Sequence, residues 1–211
     1  MFIQKKSLYL FINFKKIIMK TLKKIKFILI FLFLFPLYIH QTPVFSESVY
    51  KYNVLKDRLK YEFIYNRIIQ KIKEHETFSG VRYHTGIDTD GWTIGYGHKI
   101  KATDNIPDTI SEEYADSLLI KDFEGAIRMV KFYTPILNKE ENKYKMLAMS
   151  HFVFAKGIGN FNKSKLKQLV EEEKPIDKEI LKWIVVRKDG VIKYNQRMLK
   201  NRLLEIEIYN L

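Results

Sequence analysis

Between residues 79 and 100 the chain changes from helical to hairpin grammar, and this junction constrains the fold more than any other stretch. Gly80, Gly86, Gly91, Gly95 and Gly97 punctuate the β-prone residues Val81, Tyr83, Ile87, Trp92, Thr93, Ile94 and Tyr96. Asp90-Gly91 is a good turn pair. Immediately upstream, Ile68, Ile72 and Glu76 fall at i, i+4 and i+8, one stripe of a helix, so that Glu76 extends an apolar face while Glu74 points elsewhere. A carboxylate ending an apolar stripe is costly unless paired. Glu76 therefore either continues the buried face or stands part-exposed at a frayed helix end. The stretch brings acids on a helix end and acids in a glycine-rich turn into one short segment.

The rest reads as mostly helical. Residues 47–66 read as a linker passing into a helix. Ser111, followed by Glu112 and Glu113, marks a helix start, and Leu118, Leu119, Phe123, Ile127 and Val130 carry that helix to about Pro135. Lys143–Lys156 is strongly apolar and reads as the central core helix, ended by Gly157-Ile158-Gly159. A short helix is expected over residues 162–171, capped by Asn162 or Ser164, another over 177–187, a turn at Lys188–Gly190, and a last amphipathic helix over 194–209. Trp183 and Phe152 read as core, and His151 as a helix-face residue. Arg202 and Glu205 are spaced for an i, i+3 pair, worth only tenths of a kcal/mol if exposed. The expected class is α+β, a small N-terminal hairpin on a helical domain.

Residues 1–46 read as a separate segment. A basic run, Met19-Lys-Thr-Leu-Lys-Lys-Ile-Lys26, precedes the apolar run Phe27–Ile39, the pattern of a secretory signal peptide with Met19 a candidate true start. An uncleaved membrane anchor is the rival, although the run is shorter than the ~18 residues that usually span a bilayer. The segment holds eight lysines and no acid, so the net charge of +13 falls to +5 from Glu47 onward. The residual +5 suits a polyanionic partner such as a cell wall but is also ordinary solvation. No basic patch with interleaved aromatics points to nucleic acid. The chain has no cysteine, which excludes disulfides and thiolate metal sites. His75-Glu76 lacks the second histidine of a zinc helix, Asp88–Gly91 opens like a calcium loop but has Lys99 at its twelfth position, and neither a nucleotide-binding glycine motif nor a serine elbow is present. No metal and no cofactor is expected.

Glycoside hydrolysis by inversion needs a protonated acid near the leaving oxygen and a second group that activates water, the carboxyls standing roughly 6.5–9.5 Å apart. Glu76, after an apolar stripe and beside Phe78, suits the acid. An Asp in the glycine-rich turn, Asp88 or Asp90, suits the base or electrostatic role, and the Thr93 hydroxyl can hold the water.

The heptapeptide WTIGYGH (92–98) resembles the hallmark of phage-type lysozymes, glycoside hydrolase family 24. Their pattern sets a helix end "KEFEG" before a Tyr seven residues after the Glu, then "D-x-x-G-x-x-T-I-G-Y-G-H". Here Lys73-Glu-His-Glu76 and Tyr83 match, as do Thr93 and His98. TISEEYADSLLIKDFEGAI (109–127), MLAMSHFVFAKGIGNF (146–161) with Ser164 and Leu166, and Arg202-Leu-Leu-Glu205-Ile-Glu-Ile-Tyr209 resemble later family elements in order. The resemblance covers about residues 67–211. It implies an α+β fold and a monomer that cleaves the β-1,4 bond between N-acetylmuramic acid and N-acetylglucosamine in the glycan strands of peptidoglycan. It makes Glu76 the general acid and Thr93 the active-site threonine, with Tyr83 and His98 as weaker substrate-contact candidates. The implied location is outside the cytoplasm, exported or tethered facing the wall, with the N-terminal segment contacting membrane. A lysozyme fold that binds wall glycan without cutting it is the alternative. The chain departs from the pattern in several places. Tyr83 to Thr93 is ten residues rather than eight, and Thr85 stands where the Asp is usual, which leaves Asp88, spaced correctly from Gly91, or Asp90. Ala155 replaces an Asn or Gln, Asn201 an Arg, Arg197 a Gly and Thr77 a Gly.

Overall fold

The computed structural model describes residues 43–84, 91–188 and 191–211. The apolar run 27–39 lies outside them, as do Thr85, Asp88, Asp90 and the Asp189-Gly190 turn. The chain divides into two units, residues 1–57 and 58–211. A 33-residue helix, α1 (Pro43–His75), occupies the whole stretch read from sequence as a linker and leading helix. In the first unit its described side chains are exposed, and Glu47 and Lys51 pair at 2.6 Å, the i, i+4 spacing of a solvated helix.

The second unit is α+β. Within it, α1 buries Ile64, Ile68, Ile69 and Ile72, and the chain then forms a three-stranded antiparallel sheet, β1 (Ser79–His84), β2 (Trp92–Gly95) and β3 (His98–Lys99), with β2 central. Tyr83 and Lys99 flank Thr93 on the two neighbouring strands. Gly95 has φ +65°, and a Cβ there would meet the Ala115 Cβ at 3.0 Å. Only glycine fits both the turn and the close seat of the sheet on the next helix.

That helix, α2 (Glu112–Tyr133), starts at Ser111, whose hydroxyl accepts from the Tyr114 amide at 3.2 Å, with two glutamates in the first turn complementing the helix dipole. It buries Leu118, Leu119, Phe123 and Val130. The central helix α3 (Lys143–Lys156) runs as expected and ends at Gly157, φ +80°. Nearly every residue from Tyr144 to Val153 is buried, and the helix packs chiefly on α2 and on the last helix, α7 (Gln196–Tyr209). Aromatic rings knit the interior: Phe123 meets Tyr65 and Phe154 edge-on, and Phe152 lies 5.1 Å from Trp183.

The short elements depart from expectation. Residues 158–171 form two helices, α4 (Ile158–Asn162) and α5 (Lys165–Glu171), separated by Ser164, which caps α5 by accepting from the Lys167 amide. The helix expected over 177–187 is a single turn, α6 (Asp177–Ile180), continued by a 3-10 turn in which Trp183 is non-helical. Val185–Lys188 and Val191–Tyr194 then pair as β4 and β5. Val185-Val186 and Val191-Ile192 favour a ladder over a helix because β-branched residues are stiff at χ1.

Arg202 and Glu205 do not form an exposed pair. Both side chains are fully buried, and the guanidinium meets the carboxylate twice at 2.7 Å. His151 of α3 hydrogen-bonds the same carboxylate at 2.8 Å, and Phe152 lies under the guanidinium. Glu205→Ala leaves that cation buried without its counter-charge, and we expect a loss of roughly 3–5 kcal/mol in urea unfolding of the full chain. An Arg202→Met/Glu205→Leu double variant should lose far less.

The sheet is tied to α2 by His98, whose Nδ1 lies 2.7 Å from Asp122, with Asp104 3.7 Å from Nε2. The Asp122 hydrogen bond, against opposing burial, raises the imidazole above its ordinary value. Its folded-state value thus exceeds the unfolded one, so the stabilisation is full below about pH 6.5 and disappears as pH rises through the raised value. Asp122→Asn should therefore lower the melting temperature at about pH 5 and much less at about pH 9. An equal loss at both would contradict this account.

Candidate active site

Glu76 follows the last residue of α1, its amide donating to the Ile72 carbonyl at 2.8 Å. The apolar stripe is buried as far as Ile72, but Glu76 itself is 41% exposed, so of the two sequence readings the part-exposed helix end is the one found. Glu74 faces elsewhere, paired with Lys71 at 2.6 Å, which holds its carboxyl below the usual range.

Three ties fix the segment that carries Glu76. Lys73 pairs with Asp116 at 2.8 Å and lies over the Tyr96 ring, and that pairing keeps its ammonium well above the usual range. The Tyr96 hydroxyl donates to Glu112 at 2.6 Å. Arg197, at the start of α7, donates from Nη1 to the His75 carbonyl at 2.7 Å and places Nη2 3.7 Å from Glu76 Oε1. Burial, then the Lys71 and Arg197 charges, depresses the half-buried imidazole of His75.

The other Glu76 oxygen, Oε2, faces the turn between β2 and β3. A Cβ on Gly97 (φ +88°) would lie 3.9 Å from it. Glu76 and this turn line an open cleft of about 480 Å³. Met129 of α2, Phe154 and Ala155 of α3, and Ile158 form an apolar wall, while Lys99 and Lys101 stand on the sheet side. Such a cleft can hold a sugar ring against apolar surface and present one carboxyl to it.

Thr93 sits on the central strand, 3% exposed, and its hydroxyl has no hydrogen-bond partner among the described residues. Tyr83, beside it on β1, is part-exposed. His98 lines the cleft but is buried in its pairing with Asp122. Trp92 carries the Arg82 guanidinium 5.3 Å over its ring and His84 edge-on. The second acid, Asp88 or Asp90, lies outside the described residues, so Glu76 and Thr93 are the two catalytic candidates whose positions are described. Among the described residues no three His, Asp or Glu side chains gather as a metal site would require.

Sequence reasoning missed the contacts of Arg197 and Asp122. Asp122 sits mid-helix among ordinary surface charges and gives no signal. Arg197 did give one: a cation in the first turn of a helix opposes the helix dipole, and such a placement invites a search for its partner.

No curated protein matches the chain in sequence. Among solved structures, the muramidase domain of SpmX from Asticaccaulis excentricus superposes with a TM-score of 0.58 at 20% identity, over 69% of this chain and 95% of that one. The endolysin of Escherichia coli O157:H7 phage FAHEc1 gives 0.54 at 18% identity, over 67% and 89%. A mutant of P22 lysozyme gives 0.53 at 20%, over 69% and 96%. These likenesses establish a lysozyme-like fold. The phage lysozyme family model matches residues 73–202, from the helix end before Glu76 to the buried Arg202, and the chain belongs to the phage lysozyme family.

Proposed function

We propose that the protein is a muramidase that hydrolyses the β-1,4 bond between N-acetylmuramic acid and N-acetylglucosamine in peptidoglycan, acting outside the cytoplasm with residues 1–46 as export signal or tether. No helix among the described residues is long and apolar enough to cross a membrane. The observation that carries the reading is Glu76, on a segment tied to α2 and α7, lining a cleft shared with the apolar side chains Met129, Phe154 and Ile158. Family membership supports the same assignment.

In this mechanism Glu76 donates its proton to the leaving sugar oxygen as the glycosidic bond breaks. The apolar wall shields one side of the sugar from water. The family pattern gives Thr93, buried on β2, the role of holding the attacking water on the other face of the ring. Asp88, with the spacing to Gly91 that the family pattern has, takes the water's proton and offsets the positive charge at the anomeric carbon. Inversion at that carbon follows from attack opposite the leaving group.

Purified full-length protein should clear a peptidoglycan suspension and release new reducing ends. Glu76→Gln, isosteric but without an acidic proton, should lower the rate by about 10²–10⁴-fold with an unchanged melting curve. Full activity in that variant rules out the acid assignment. Wall binding without reducing ends, in the wild type, would instead favour a non-cutting glycan-binding module. For the second acid, Asp88→Asn should reduce turnover by at least about tenfold and Asp90→Asn by less than about twofold, since only the water-activating carboxylate takes part in bond cleavage. The reverse ranking would transfer the role to Asp90.

A further inference from the structure

The Arg197 guanidinium is bound on one side and committed on the other. It is the second residue of α7, after the Asn195 cap, whose side chain accepts from the Met198 amide at 3.0 Å. A cation there sits on the positive end of the helix dipole and is disfavoured. Two contacts offset this. Nη1 donates to the His75 carbonyl, 122 residues away in sequence, and Nη2 faces Glu76 Oε1 at 3.7 Å. Because the backbone carbonyl anchors one nitrogen and the guanidinium is planar, the second is presented in a fixed direction.

The two oxygens of Glu76 therefore have different surroundings. Oε1 faces a positive charge, whereas Oε2 faces Gly97 and the cleft. A proton on Oε1 would lie against a cation, and a proton on Oε2 would not. We propose that Arg197 is a positioning residue that assigns the catalytic proton to Oε2 and points it into the cleft. The proposal rests on the reading of Glu76 as the general acid. Arg197 is 55% exposed, so its replacement removes little packing and the effect falls on the acid.

The test compares Arg197→Gly, Arg197→Gln and Arg197→Lys in the full-length protein, with kcat and KM measured on soluble uncross-linked peptidoglycan strands and melting curves beside them. Loss of the charge should lower kcat by about tenfold or more, the scale of a displaced catalytic group, with KM within about twofold. Lys, which keeps a positive charge on the Oε1 side, should recover most of the rate, whereas Gln, of similar length and uncharged, should not. Unchanged kcat in Arg197→Gln, a raised KM with unchanged kcat, or a Lys variant as slow as Gln would each overturn the proposal. Glu76→Gln is assayed alongside. If it is inactive while Arg197→Gln is normal, only the role of Arg197 falls. If Glu76→Gln is active, the acid assignment itself fails.

Discussion

The buried charge cluster of Arg202, Glu205 and His151 is the joint on which the helical part of this lysozyme fold depends. Two fully buried ions attract strongly but lose their hydration, and such a pair is often no more stabilising than apolar residues of the same size. What it supplies is direction. The planar guanidinium meets the carboxylate at two points, and the imidazole of α3 takes one of the same oxygens, so rotating α7 about its axis would break all three contacts at once. Apolar packing alone tolerates rotation and slippage more readily. With α7 fixed against the central helix, the first turn of α7 is fixed too, and Arg197 reaches the end of α1 from there.

The position of Glu76 is thus set by elements distant in sequence: Asp116 and Glu112 from α2, Tyr96 from the sheet and Arg197 from α7. Periodicity within α1 could place Glu76 on the buried stripe but could not tell that the helix would stop at His75, leaving the carboxyl beside the cleft and part-exposed. Long, strongly patterned elements were legible. Ser111 with its following glutamates marked α2, and the apolar run ending in Gly157 marked α3. Short elements were not. Ile180, Trp183 and Ile184 repeat at helical spacing, yet one turn of α-helix followed by a 3-10 turn and a strand satisfies the same core positions, and tertiary contact chose between them. The Arg202–Glu205 pairing was legible but its burial was not: i, i+3 spacing gives the pairing and not the environment, and the packing of α7 on α3 removes both from water.

The site shows the same division. WTIGYGH was readable because its residues have backbone work to do. Gly95 must both turn and let Ala115 approach, and Gly97 must turn beside Glu76. Thr93 was readable from its place in that motif, and its buried hydroxyl has no partner among the described residues. Arg197 is the counterpart on the helical side, a charge placed against a helix dipole where a glycine would be locally neutral. Both residues break a local rule, Arg197 in direct contact with Glu76 and Thr93 on the strand that leads into the turn beside it. Independent violations that converge on a single group are what a site under functional constraint produces, because each is tolerated only where something other than stability requires it. The cost at the exposed helix end is small, tenths of a kcal/mol, and the Arg202–Glu205 joint and the His98–Asp122 tie hold the helical side and the sheet in place.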